Sequence, residues 1–322
     1  MTIPSRVVVI GEPAAGGLRN SIVSALTSLG RKVEVIDWGR WHPAPLASAA
    51  FRLPRLAGGF RRDLRREVEA LAGGGPTELV LVVKGAFLDA QMIEHLRRHL
   101  EAPVVCWNPD SPFDDAISNR GAGIPAAIGA YDVYVTWAED VAERLASLSS
   151  RVVIIPFAWD PGVHHPTAGQ GLAAGRIVFV GTASGERISL LRRLARFHPL
   201  VFGNGWSTIE GVEIRPAVTG PEMSAIVGEA KWNLNLLRPQ NARSHNMRTF
   251  ELPGAGGNQL APATRDHERF LGADGRTLLY NSFGELEAIL RSDPTSLDSR
   301  PPDLLSDHTY VKRLSDLLTT MQ

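Results

Sequence analysis

Twice along this chain a short β-branched run stops at a glycine and gives way to an amphipathic helix and a second apolar run. The first copy is Val7–Ile10, closed by Gly11, with a helix over Leu18–Leu29 and a strand over Lys32–Asp37. The second is Ile177–Val180, closed by Gly181, with a helix over Arg187–Arg196 and a strand over Leu200–Phe202. Parallel neighbours in a sheet need a crossover helix, so this order opens a doubly wound parallel sheet. Further strands are expected at Leu79–Lys84, Val104–Trp107, Tyr131–Thr136, Val152–Ile155, Trp232–Leu237, Gln259–Ala261 and Leu278–Tyr280. Between the two series lies Pro161–Gly175, PGVHHPTAGQGLAAG, which has the composition of a linker. The expected architecture is α/β, with two Rossmann-like domains facing a central cleft: 1–160, a linker at 161–175, and 176–322. The first loop, GEPAAGG, lacks the G-x-G-x-x-G spacing, so a nicotinamide dinucleotide is not expected there.

Composition narrows the function classes. The 322 residues carry 34 basic and 34 acidic side chains, a balance that argues against a nucleic-acid binder relying on bulk charge. No run of about 18 apolar residues is present to cross a membrane, and the N-terminal run is shorter than a signal-peptide core, so a cytoplasmic home is expected. The lone Cys106 forms no intramolecular disulfide, and no Cys/His cluster shows zinc spacing.

The densest chemistry lies in Asn241–Leu260, NARSHNMRTFELPGAGGNQL. Arg243, Ser244, Asn246, Arg248 and Glu251 crowd the opening of a helix expected over Met247–Gly254, and a Gly-rich turn, Gly254–Gly257, follows. A helix start offers free N–H groups and a partial positive charge that suit a phosphate, while a carboxylate further in suits ribose hydroxyls. The same letters also suit a capped helix with a glycine end.

At this point the chain resembles a GT-B glycosyltransferase of the CgeB-like, spore-maturation branch. The resemblance rests on YDVYVTWAEDVAERLA, VVIIPFAWDPGVHHP, IVFVGTASGERISLLRRL, NMRTFELPGAGGNQL and the closing HTYVKRL. It covers Val104 to the C-terminus, and the first hundred residues match only in their strand–loop–helix pattern. It implies a nucleotide-sugar donor held by the C-terminal domain, an acceptor held by the N-terminal one, and neither a cofactor nor a divalent metal. It also makes Glu251 the residue that binds the donor ribose. The retaining branch of the clan carries a glutamate pair, and the position of its first member is Arg243 here, which leaves the stereochemistry open.

Glycosyl transfer must stabilise a leaving diphosphate and remove a proton from the acceptor. Arg187 and Arg248 are the candidate cations for the diphosphate, because a guanidinium fork fits phosphate oxygens. Gly181, Thr182 and Ser184 offer a close backbone approach, with Arg243, Ser244 and Asn246 completing the donor set. Asp110, in CWNPDSP just after a strand, is the candidate general base, although Asn108–Pro112 is equally a good turn former. Lys84 and Asn108 are candidate acceptor contacts. His164 and His165 read as hinge or surface residues, His245 as a further donor contact, and Trp38, Trp41 and Phe51 as packing or an acceptor wall. The expected partners are a nucleotide sugar and a small-molecule or glycan acceptor. Two rival readings stand beside this one: a non-hydrolysing nucleotide-sugar epimerase, which needs several carboxylates around one sugar, and a sugar-nucleotide-binding protein without catalysis.

Overall fold

The structure is a computed structural model that describes residues 5–12, 17–37, 57–114, 123–292, 294, 297–301 and 303–321. Trp38, Trp41 and Phe51, and most of the first glycine loop, lie outside the described residues. The chain forms two compact units, Met1–Pro156 with Arg313–Gln322, and Phe157–Lys312.

The first unit holds a parallel sheet of β1 (Arg6–Ile10), β2 (Lys32–Ile36), β3 (Thr77–Val83), β4 (Val104–Trp107), β5 (Val133–Thr136) and β6 (Val152–Ile154), in the order β2-β1-β3-β4-β5-β6. Val7, Val8 and Val9 are fully buried, as expected for a central parallel strand covered on both faces. The crossovers are α1 (Leu18–Ser28), α2 (Ala57–Leu71) and α3 (Ala90–Leu100), then the short α4 (Ile124–Ala127) and α5 (Glu139–Leu145). The helix α3 starts where the Asp89 carboxylate accepts the Met92 N–H at 2.9 Å.

The second unit repeats the plan with β7 (Ile177–Val180), β8 (Leu200–Phe202), β9 (Glu213–Arg215), β10 (Trp232–Leu234), β11 (Gln259–Pro262) and β12 (Thr277–Tyr280), ordered β12-β11-β10-β7-β8-β9 and parallel throughout. Its helices are α6 (Gly185–Leu194), α7 (Gly220–Glu229), α8 (Arg248–Gly254), α9 (Arg265–Leu271) and α10 (Phe283–Ser292). Alternation along β7 sends Val178 and Val180 into one apolar cluster and Phe179 into another, so both faces of the sheet are covered. The edge strand β9 and the helix α9 escape a sequence reading. GVEIRP has no apolar run, and RDHERFL is short and highly charged, recognisable mainly by the Thr264 hydroxyl accepting the His267 N–H.

The segment expected to link the domains is tied into the second unit. Glu229, at the end of α7, accepts the backbone N–H groups of Gly171 at 2.6 Å and Ala173 at 3.3 Å, and Ser224 donates to the Val163 carbonyl at 3.1 Å. A Pro- and Gly-rich composition therefore marks irregular backbone here, anchored by side chains of a helix. The final helix, α11 (Tyr310–Met321), returns chain to the first unit from Arg313 onward, where Arg313 Nε donates to the Pro156 carbonyl at 3.2 Å.

Candidate functional site

In the second sheet the chain runs from β7 outward to β8 and β9, then crosses back to place β10 on the other side of β7. The loops leaving β7 and β10 diverge at that switch point, which is where open α/β sheets bind ligands. Arg187 spans it. Its Nη1 donates to the Thr182 carbonyl after β7 at 2.9 Å, and its Nη2 to the Leu236 carbonyl after β10 at 2.7 Å. The residue is 8% exposed, its Nε has no hydrogen-bond partner, and its guanidinium stands 5.2 Å from the centre of the Phe179 ring. Among the described residues no carboxylate bonds it. Burial, followed by the charges of Arg238 and Arg248, pushes the Arg187 guanidinium down to about 10. It remains a cation at neutral pH, held among other cations.

Arg248 opens α8 on the same edge, with Nε donating to the Val180 carbonyl at 3.4 Å. Its Nη1 is ion-paired with Glu251, one turn on, whose carboxylate is 1% exposed. The other oxygen of Glu251 lies 3.8 Å from His164 Nε2. His164 is buried and so is not a surface residue; burial outweighs the pull of Glu251 and holds its ring below the ordinary histidine value. His165 is exposed, as expected. An apolar cavity of about 250 Å³ opens beside Arg187, lined by Leu190, Leu236, Leu237, Pro262 and Tyr280 among others.

The remaining donor candidates separate. Gly181 sits on the edge, with its carbonyl accepting the Trp206 indole N–H at 2.9 Å. Thr182 is exposed, and so is Arg243. The Ser184 hydroxyl caps α6 by accepting the Arg187 N–H at 3.4 Å. Ser244 is turned inward: its hydroxyl donates to Asp266 at 2.5 Å, and its carbonyl accepts from Thr264. His245 is fully buried, with Nε2 accepting the Phe157 N–H at 3.0 Å and Nδ1 donating to Asp266 at 2.8 Å. Burial raises the Asp266 carboxyl, but the bonds from His245 and Ser244 outweigh it and leave the group below its ordinary value. Asn246 accepts the Thr249 N–H at 3.1 Å and donates to Asn235 at 2.8 Å. The hydrogen bonds of Ser184, Ser244, His245 and Asn246 build the scaffold of the motif. The glycines behave likewise. A Cβ on Gly254 would meet the Trp159 ring at 2.4 Å, and one on Gly257 would meet Val227 at 2.6 Å, so both admit close packing at the helix end.

In the first unit, Lys84 and Asp110 stand at the carboxyl ends of the neighbouring strands β3 and β4, joined by a 2.8 Å ion pair and each about 30% exposed. Lys84 and Phe87 have left-handed backbones, φ 67° and 66°, on either side of Gly85. A side chain held there costs roughly 1–2 kcal/mol, a strain that collects at functional loops. Asn108 is turned inward. It is 1% exposed, donates to the Tyr134 hydroxyl at 2.9 Å, and accepts the Asp110 N–H at 3.0 Å, the turn that the Asn–Pro–Asp sequence also allows.

Comparison with known proteins bears on the second unit first. Residues 187–319 match a glycosyl transferase-like family. No curated protein sequence matches the chain. Solved structures match over nearly its whole length. A trehalose-6-phosphate synthase superimposes with a TM-score of 0.66 at 12% identity, covering 98% of this chain and 99% of that one. A glycosyltransferase involved in avilamycin A biosynthesis gives 0.63 at 12% identity, with 99% and 97% covered. A UDP-forming α,α-trehalose-phosphate synthase from Burkholderia xenovorans, in complex with glucose-6-phosphate, gives 0.66 at 11% identity, with 99% and 100% covered. The two-sheet α/β fold is thus that of GT-B glycosyltransferases. Among the described residues no helix is long and apolar enough to cross a membrane.

Proposed function

We propose that this protein is a cytoplasmic glycosyltransferase that moves a sugar from a nucleoside-diphosphate sugar to a hydroxyl or amine of a small-molecule or glycan acceptor, on the CgeB-like pattern. One observation carries the reading: a buried arginine, without a carboxylate bonded to it among the described residues, bridges the β7 and β10 loops, depressed by its burial and then by Arg238 and Arg248. Such a cation is costly alone and becomes favourable when an anion arrives. The donor diphosphate is that anion, and the guanidiniums take up the charge that develops on it as the glycosidic bond breaks, a role that needs no metal. The apolar cavity lined by Leu236, Pro262 and Tyr280 receives the base, and the buried Glu251 holds Arg248 in place. In the first unit Asp110, steadied by Lys84, takes the acceptor proton. The UDP-forming neighbour makes UDP the first nucleotide to try.

The test is incubation with a panel of nucleotide sugars and detection of the free nucleoside diphosphate. Release from at least one donor, abolished in Arg248→Ala, is the expected result. Failure of every nucleoside diphosphate to bind in calorimetry defeats the proposal.

A further inference from the structure

Helices α2 and α3 pack side by side in the first unit, with Leu64 and Val68 of one and Met92 and Leu96 of the other buried. On their outer side the ligand atoms of Glu69, His95 and His99 all lie within 4.8 Å of one another. His95 and His99 are one turn apart on α3, with ring centroids 3.8 Å apart, and Glu69 comes from α2. That i, i+4 histidine pair is easily passed over when a sequence is scanned for Cys-rich zinc spacings, and its third member is far away in the chain. We propose that these three residues form a divalent transition-metal site, for Zn²⁺ or a similar borderline ion, that staples α2 to α3.

Two imidazoles and one carboxylate are the donor set such ions take, with water completing a tetrahedron. His95 Nε2 is buried and has no hydrogen-bond partner, a state that otherwise costs free energy. The second histidine has one nitrogen occupied, since His99 Nδ1 bonds to the His95 carbonyl at 3.0 Å, which leaves Nε2 for a metal. Arg98 is itself engaged by Glu94 at 3.2 Å, which limits its repulsion of an incoming cation. A groove of about 480 Å³ runs past His95 and gives the ion its solvent side. The site involves none of the arginines assigned to the donor, so it stands or falls separately from the proposed transfer activity.

Untagged, chelator-stripped protein titrated with ZnCl₂ and CoCl₂ by calorimetry tests this, with His99→Ala and Glu69→Gln as variants. His99 and Glu69 are exposed, so both variants keep the core. One equivalent of metal should bind the native chain and raise its Tm, each variant should weaken binding at least about tenfold, and Arg248→Ala should bind normally. Absence of binding, or binding that both variants retain (an adventitious ion on other histidines), overturns the proposal.

Discussion

Replacing Arg187 by methionine separates a ligand-binding arginine from a merely structural one. The side chain keeps an apolar stem and loses the guanidinium with its charge. Holding the buried cation down to about 10 corresponds to about 3 kcal/mol of unfavourable burial in the empty protein, which the substitution removes. Against that stand two charge-assisted hydrogen bonds, to the Thr182 and Leu236 carbonyls, worth roughly 1.5–3 kcal/mol apiece. The balance is a net loss of about 0–3 kcal/mol, so urea unfolding should place Arg187→Met within about 3 kcal/mol of the native protein. Ligand binding has no such cancellation. Loss of one desolvated guanidinium–phosphate contact costs about 3 kcal/mol, so the Kd for UDP measured by calorimetry should rise by about a hundredfold. The opposite pattern, a stability loss above about 4 kcal/mol with UDP affinity unchanged, would refute the reasoning and make Arg187 a loop clamp.

Three further outcomes follow from other sites. Asp110→Asn should lower kcat at least about a hundredfold in a donor-turnover assay while leaving donor KM nearly unchanged, as removal of a general base does; retained kcat assigns the base elsewhere. Lys84→Gly should relieve a left-handed side chain and hold or slightly raise the Tm while lowering activity, and a large fall in Tm contradicts the strain argument. Burial holds His267 at about 4, below its unfolded value, so the unfolded chain takes up a proton first as pH falls and stability declines from about pH 6.5 towards 4. Urea unfolding at pH 4.5 and 7.5 should show about 2.5 kcal/mol of that loss in the native protein and not in His267→Asn.

The extent to which the site could be read from the letters depended on how local each feature is. Val7–Ile10 and Ile177–Val180 announce buried strands because β-branched residues stop at a glycine, and NMRTFELPGAGG announces a helix with a glycine end. The same motif does not record which partners its side chains take. Ser244, His245 and Asn246 look like phosphate ligands in a polar run, yet Asp266, Phe157 and Asn235 claim them from distant parts of the chain. His164 looked like a surface residue of a linker and lies buried beside Glu251.

Hydrophobic periodicity and glycine placement by themselves determined the two parallel sheets and most of their strands, because a strand or helix records its own burial pattern every two or three to four residues. Which polar groups come together, and which are buried, was decided only by tertiary structure. Arg187 acquires its meaning from the Leu236 carbonyl and from two further arginines, and His95 from a glutamate on another helix. Burial without a compensating charge is a property of neighbours in space, and no local run of residues encodes it.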